Sequence, residues 1–338
     1  MNDWKFLEEA FKEETELREN IDISKLCTYG IKPLDDALTC LSRNELVVIG
    51  ADSGVGKSEM CLTITRENIK KGKKVALFYL EGGYFEAIQR MKWGDIADEY
   101  YKNYSQCAIE MNYKKWSLNQ LKDRTLMEIE NRVWERYKND YKNNLVFYSA
   151  KGGLDIDKFI SSLLELHKLV PNEAGTGIGT KLDLDLIIID HLQYFSLMKA
   201  ESELFEITEI LKTVKNITEH FKVPVILVSH LRKKTRDRGL PGQEDFYGSS
   251  NIPKIATTAI TIANDTNKDN LGAGIYPTYI RVVKSKVGAK PNYAFLVDFN
   301  LYKRSYEDNY TICRLDSFGN ILPEIEKEER PDYYNKGD

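Results

Sequence analysis

The stretch Leu46-Val47-Val48-Ile49-Gly50-Ala51-Asp52-Ser53-Gly54-Val55-Gly56-Lys57-Ser58 decides the fold. Its apolar run LVVIG reads as a buried strand, and Ser58–Lys70 after it as a helix. Between them Gly54 and Gly56 permit backbone conformations in which successive N–H groups point at one anion, and the helix N-terminus adds its positive end. Lys57 and Ser58 then occupy the phosphate-loop positions of the lysine that bridges β- and γ-phosphates and the hydroxyl that ligates Mg²⁺. Ala51 stands where the strict pattern has glycine. The plain alternative is a glycine-rich turn with an incidental lysine. Residues Ser53, Gly54, Val55, Gly56, Lys57, Ser58 and Glu59 are the expected nucleotide contacts, with ATP and Mg²⁺ as the expected cofactors.

Outward from this loop, strands and helices alternate. Lys74–Leu80, Leu145–Tyr148, Asp185–Asp190, Val223–Ser229, Ile255–Ala263, Tyr279–Lys284 and Ala294–Phe299 read as strands. Ile156–Leu169 and Leu204–Phe221 read as helices. This alternation predicts an α/β fold with a mostly parallel central sheet flanked by helices. Residues 85–144, rich in Lys, Asn, Tyr and Glu, read as a helical insertion with a long exposed helix near Leu118–Asn139. Cys27–Leu41 reads as a connector with turns at Gly30 and Pro33, and Gly175–Thr180 as a flexible loop. Residues 4–19 read as an amphipathic helix whose Trp4, Phe6, Leu7, Ala10, Phe11 and Leu17 share an arc of about 160°. The expected organisation is this N-terminal segment (1–28), a core domain (29–310) and a C-terminal segment (311–338) with an acidic, flexible tail.

Composition narrows the function. With 338 residues, 42% of them hydrophobic and 30% charged, wholesale disorder is excluded. No apolar run approaches the roughly 18–20 residues of a membrane span, so no membrane partner is expected. Five cysteines without a CxxC pair argue against zinc or disulfide frameworks and for a reducing compartment. The net charge of −4 hides an asymmetry: residues 1–28 carry −4 and residues 324–338 carry −3, which leaves the interior at +3. Arg232–Arg238 (RKKTRDR) holds five bases against one acid, a local site for backbone phosphates of single-stranded nucleic acid. Arg232, Lys233, Lys234, Arg236 and Arg238 are the candidate contacts, with Lys199 as a further one; an ordinary solvated loop is the alternative.

Two carboxylates belong with the phosphate loop. Asp190 ends the strand DLIIID at the rim where ligands of such sheets sit, poised to hold Mg²⁺; a helix cap is the alternative. Glu81 ends KVALFYLE on the same rim, where a carboxylate polarises an attacking water; an ordinary strand-end glutamate is the alternative. His230 ends the strand VPVILVSH and is a candidate for sensing a γ-phosphate, or a structural histidine. His191, His167 and His220 have no evident partners. The aromatics of 93–148 are expected to pack rather than to stack on bases.

With these motifs in order, the chain from about Thr28 to Phe299 resembles the ATPase domain of DnaB-type hexameric replicative helicases, a RecA-like P-loop NTPase fold. ADSGVGKS resembles that family's first motif, which tolerates the alanine. LFYLE resembles the strand bearing its catalytic glutamate, supporting Glu81. LIIIDHLQYF resembles its Walker B segment, with Asp190 as the acid and Gln193 at the glutamine position. VPVILVSHLRKK resembles its third motif, with His230 where DnaB proteins carry glutamine and phage primase-helicases carry histidine. DFYGSSNIPKIATTAITIA, from Asp245, is similar to the stretch after the DNA-binding loop, with Tyr247 in place of an arginine. RVVKSKVGAKP resembles the fourth motif, whose Lys-x-Arg reaches a neighbour's γ-phosphate. Here it reads Lys284-Ser285-Lys286, closer to the lysine pair of RecA recombinases.

The resemblance implies an ATP-dependent, ring-shaped DNA helicase, expected as a hexamer, moving on single-stranded DNA in a bacterial or phage-infected cytoplasm. A primase or helicase loader is an expected partner, although the family's N-terminal primase-binding domain is expected to be missing. In that family a linker helix docks on the adjacent subunit, and residues 4–19 are a candidate for the same role. A filament-forming recombinase or recombination mediator is the alternative that the lysine pair favours.

Overall fold

The structure is a computed structural model. It describes residues 6–104, 111–148, 154–169, 184–195, 203–232, 239–247, 251–265, 274–286, 288 and 291–323. Helix α1 (Leu7–Glu19) precedes α2 (Lys32–Leu38), β1 (Leu46–Ala51), α3 (Lys57–Lys70) and β2 (Val75–Tyr79). Next come α4 (Tyr84–Asn103), α5 (Tyr113–Ser117), α6 (Arg124–Asn139), β3 (Leu145–Tyr148), α7 (Ile156–Leu169) and β4 (Leu186–Asp190). The rest is α8 (Glu203–Phe221), β5 (Val225–His230), α9 (Ile252–Ile255), β6 (Thr258–Asn264), β7 (Ile275–Ser285), β8 (Tyr293–Asn300) and β9 (Ser305–Arg314).

One nine-stranded sheet runs in the order β3-β2-β4-β5-β1-β6-β7-β8-β9. It is parallel from β3 to β6 and antiparallel from β6 to β9. The expected α/β class and mostly parallel core are therefore present. Successive strand residues face opposite layers, so both faces must be covered. Val47, Ile49, Leu77, Ile188, Ile226 and Val228 pack towards α2 and α3. Leu46, Val48, Phe78, Ile187, Ile189 and Leu227 pack towards α7 and α8. Every residue of β1 is buried, which explains its unbroken apolar run.

Several expectations change. Pro33 opens a helix instead of a turn: it sits in the first turn of α2, where its missing N–H costs nothing. The helix placed near Leu118–Asn139 starts at Arg124, capped by Asp123, whose carboxylate accepts from the Leu126 N–H at 2.8 Å. Nor is it simply exposed, since Leu126, Ile129 and Val133 pack against Trp93, Ile96 and Tyr100 in a core of the insertion's own. The insertion is pinned to the domain by Arg66, which is buried within 3.6 Å of Asp95 and 3.4 Å of Asp98, and by the Trp93 indole donating to the Tyr302 carbonyl at 2.8 Å. Strand β9 has no counterpart among the expected strands, and it crosses the division drawn at 310/311. Its half-exposed SYEDNYTICR is an edge strand and carries too little apolar alternation to announce itself.

Residue Trp4, the loop 175–180 and the C-terminal tail lie outside the described residues. No described helix is long and apolar enough to cross a membrane.

Candidate nucleotide site

Strand register builds one rim. Tyr79 pairs with Asp190, and Ala51 with His230. The Leu80 N–H donates to the Asp190 carbonyl at 2.8 Å, so Glu81 emerges just past the Asp190 strand end. The phosphate loop, Glu81, Asp190 and His230 are thereby gathered at the carboxyl ends of β1, β2, β4 and β5.

Gly54 and Gly56 adopt φ of +81° and +108°, and nothing lies within 4 Å of where a Cβ would stand on either. The loop thus curls around open space, as an anion cradle requires. The Lys57 ammonium donates to the carbonyls of Ala51 (3.1 Å) and Asp52 (2.8 Å) and to His230 Nδ1 (3.2 Å). Its three protons are taken, and a phosphate has to displace at least one acceptor. Burial pulls the Lys57 pKa down, while Asp190, Glu81 and Asp52 act to hold it up.

Both carboxylate oxygens of Asp190 are buried without a hydrogen-bond partner. Burial pushes this carboxyl up to about 6; the Ser58 hydroxyl nearby counteracts without completing a hydrogen bond, and the Glu81 charge adds to the rise. A buried acid orphaned beside a hydroxyl at a phosphate loop suits Mg²⁺, which keeps most of its shell as water and phosphate oxygen. The folded state holds a proton on Asp190 that the unfolded chain releases between about pH 4 and 6, so stability declines as pH rises through that window. Asp190→Asn should therefore stabilise the metal-free protein by about 1–2 kcal/mol above pH 6 and by nothing near pH 4. Thermal melts at both pH values check this, and an equal gain at both would contradict it.

Glu81 is half exposed, with Oε2 3.6 Å from His191 Nε2. Burial and the neighbouring His230 push the His191 pKa down to about 4, so the imidazole is neutral near pH 7 and does not pair with Glu81 as a cation. His191 Nδ1 lies 3.0 Å from Gln193 Oε1, which also accepts from the His230 backbone N–H at 3.3 Å. The Gln193 amide nitrogen donates to the Ser229 hydroxyl at 3.2 Å. His191, read as structural, thus joins the site through contacts that no spacing in the sequence reveals.

Two expected residues are placed differently. The Glu59 carboxylate accepts from Arg90 at 2.9 Å and also from Arg304, which leaves only its backbone N–H facing a nucleotide. Lys284 donates to the carbonyls of Pro253 (2.6 Å), Lys254 (2.9 Å) and Ala256 (2.6 Å), capping the C-terminal end of α9 within its own protomer. It does not reach outward as a finger; Lys286, past the end of β7, is exposed. Arg232 is exposed as expected, whereas Lys199, Lys233, Lys234, Arg236 and Arg238 lie outside the described residues.

A model of the DnaB-like helicase C terminal domain matches residues 27–147 and 169–301. The chain belongs to that family. Among curated DnaB-like relatives, a probable replicative DNA helicase of Trieres chinensis is 23% identical over 251 residues, 70% of this chain and 47% of its own length. Replicative DNA helicase DnaB of Mycoplasma pneumoniae is 23% identical over 329 residues, 90% of this chain and 63% of its own length. The chain therefore spans about half to just under two thirds of these DnaB-like proteins. A solved helicase ATPase domain superposes with a TM-score of 0.70 at 19% identity, covering 90% of this chain and 99% of that one. It shares the fold, and the RecA-like class expected for a DnaB-like domain holds.

Proposed function

We propose that this DnaB-like domain is the motor of a ring-forming replicative helicase that hydrolyses ATP and moves along single-stranded DNA. The observation that carries this reading is the anchoring of the basic segment on the phosphate site. The Leu231 N–H donates to the Ala51 carbonyl at 3.2 Å, and the Arg232 N–H to the Asp245 carbonyl at 2.7 Å. Beyond the basic residues the Leu240 N–H is held by the Gly319 carbonyl at 2.7 Å. A γ-phosphate that takes Lys57 from His230 disturbs the residue immediately before this segment. Neutralising Lys233, Lys234, Arg236 and Arg238 together should weaken single-stranded DNA binding and flatten the dependence of log K on log salt by about 0.7 per lost contact. Titrations across salt read this out, and an unchanged slope would contradict it.

In this reading Lys57 and the loop amides bind and orient the terminal phosphates, and Glu81 takes a proton from the attacking water at its carboxylate. Ser58 and Asp190 would hold Mg²⁺, which supplies charge neutralisation at the β- and γ-oxygens. Lys286 is the candidate for reaching a neighbouring subunit's nucleotide.

Self-assembly has two matching surfaces in its support. Phe6, Leu7 and Phe11 of acidic α1 are 86%, 85% and 67% exposed. A groove of about 420 Å³ on the insertion is lined by Phe85, Ile88, Trp116, Leu121, Met127 and Trp134, with Lys92 and Lys122 beside them. Apolar contact and opposite charge fit α1 of one copy to the groove of the next. Phe11→Glu should reduce the assembly to monomers by light scattering; an intact particle would place the contact elsewhere.

A further inference from the structure

We infer that Arg90 is a positioning residue that locks the turn bearing Glu81 to the phosphate-loop helix. Its guanidinium spans two carboxylates on two elements. One terminal nitrogen donates to Glu59 in the first turn of α3 at 2.9 Å, and the other to Glu86 in the first turn of α4. Glu86 in turn lies against the turn itself: a Cβ on Gly82 would stand 3.1 Å from Glu86 Oε2 and 2.5 Å from the Tyr79 ring. The path Glu59–Arg90–Glu86–Gly82 therefore joins the helix that begins at Lys57 to the residue after Glu81. The charge of Arg90 also reaches Asp190, where it favours the ionised carboxylate.

Arg304 supplies an internal comparison. It holds the same Glu59 oxygen and stacks on Tyr113 at 4.0 Å, away from Glu86 and the turn. A purely structural tie on α3 would make the two arginines equivalent, whereas a tie that sets the base would not. Lysine keeps the charge at position 90 but lacks the fork needed to hold both carboxylates at once.

This inference rests on Glu81 acting as the general base, so the experiment carries Glu81→Gln alongside. Steady-state ATP hydrolysis and equilibrium nucleotide binding are measured for Glu86→Gln, Arg90→Lys, Arg304→Lys and Glu81→Gln. Glu86 is a partly exposed surface residue whose replacement leaves the cores untouched. Glu86→Gln and Arg90→Lys should each lower kcat by about 10- to 100-fold, the cost of a small misplacement of a catalytic group. KM and nucleotide affinity should stay within about threefold of the parent, the split expected when binding is spared. Arg304→Lys should lose less than about threefold in kcat. Equal losses for Arg90→Lys and Arg304→Lys, a silent Glu86→Gln, or losses confined to nucleotide affinity would overturn the positioning role. If Glu81→Gln itself turns over normally, it is the assignment of the base that fails.

Discussion

Lys57→Ala should abolish nucleotide hydrolysis while leaving the fold intact. The side chain is buried, and its ammonium is satisfied by the Ala51 and Asp52 carbonyls and His230 Nδ1. Burial already disfavours its charged form, so removing it relieves a cost in the folded state. What disappears is the one cation among the described residues with hydrogen bonds inside the loop. Losing a single preorganised donor to a developing oxyanion costs about 10²–10³-fold, and a full charge costs at least that. Phosphate release measured with the melting temperature separates chemistry from folding. Retained turnover in a folded variant would remove the site assignment.

Glu81→Gln should keep nucleotide binding and slow hydrolysis by about 10²–10⁴-fold, the contribution of a positioned general base. The amide keeps the shape and the hydrogen-bonding reach of the carboxylate but cannot accept the proton. The neighbouring imidazole supports the assignment: His191 is neutral near pH 7, so it does not hold Glu81 in an ion pair and the carboxylate stays available to a water. Single-turnover hydrolysis and equilibrium binding of the same preparation check both halves. Normal single-turnover rates would move the base to another residue.

The parts of the fold that are legible in the sequence are those under the strongest local constraint. Leu46–Ala51 and Leu186–Asp190 are buried on both faces, so their composition is unbroken and apolar, and their ends place the loop and Asp190. Glu81 and His230 are legible for the same reason, since each follows or ends such a strand. The elements that the sequence does not announce are decided by tertiary contact. Strand β9 exists because β8 offers it a partner, and α2 because Pro33, Leu34 and Leu38 find a buried face. Glu59 illustrates the limit within the site. Its position beside Ser58 predicts a nucleotide contact, yet Arg90 and Arg304 converge on it from residues 31 and 245 positions away. Lys284 is the same case, because the short α9 presents three carbonyls that no motif encodes.

The central claim is that a phosphate loop, assembled into a ring, drives movement along DNA through the segment hung between Leu231 and Leu240. Unwinding of a forked duplex, with 5′ or 3′ tails and with particle mass recorded on the same sample, tests it most directly. The account predicts ATP-dependent strand separation from one tail polarity by a ring-sized particle, lost in Lys57→Ala. A monomer with undiminished hydrolysis, or assembled rings that hydrolyse ATP and separate neither substrate, would contradict it.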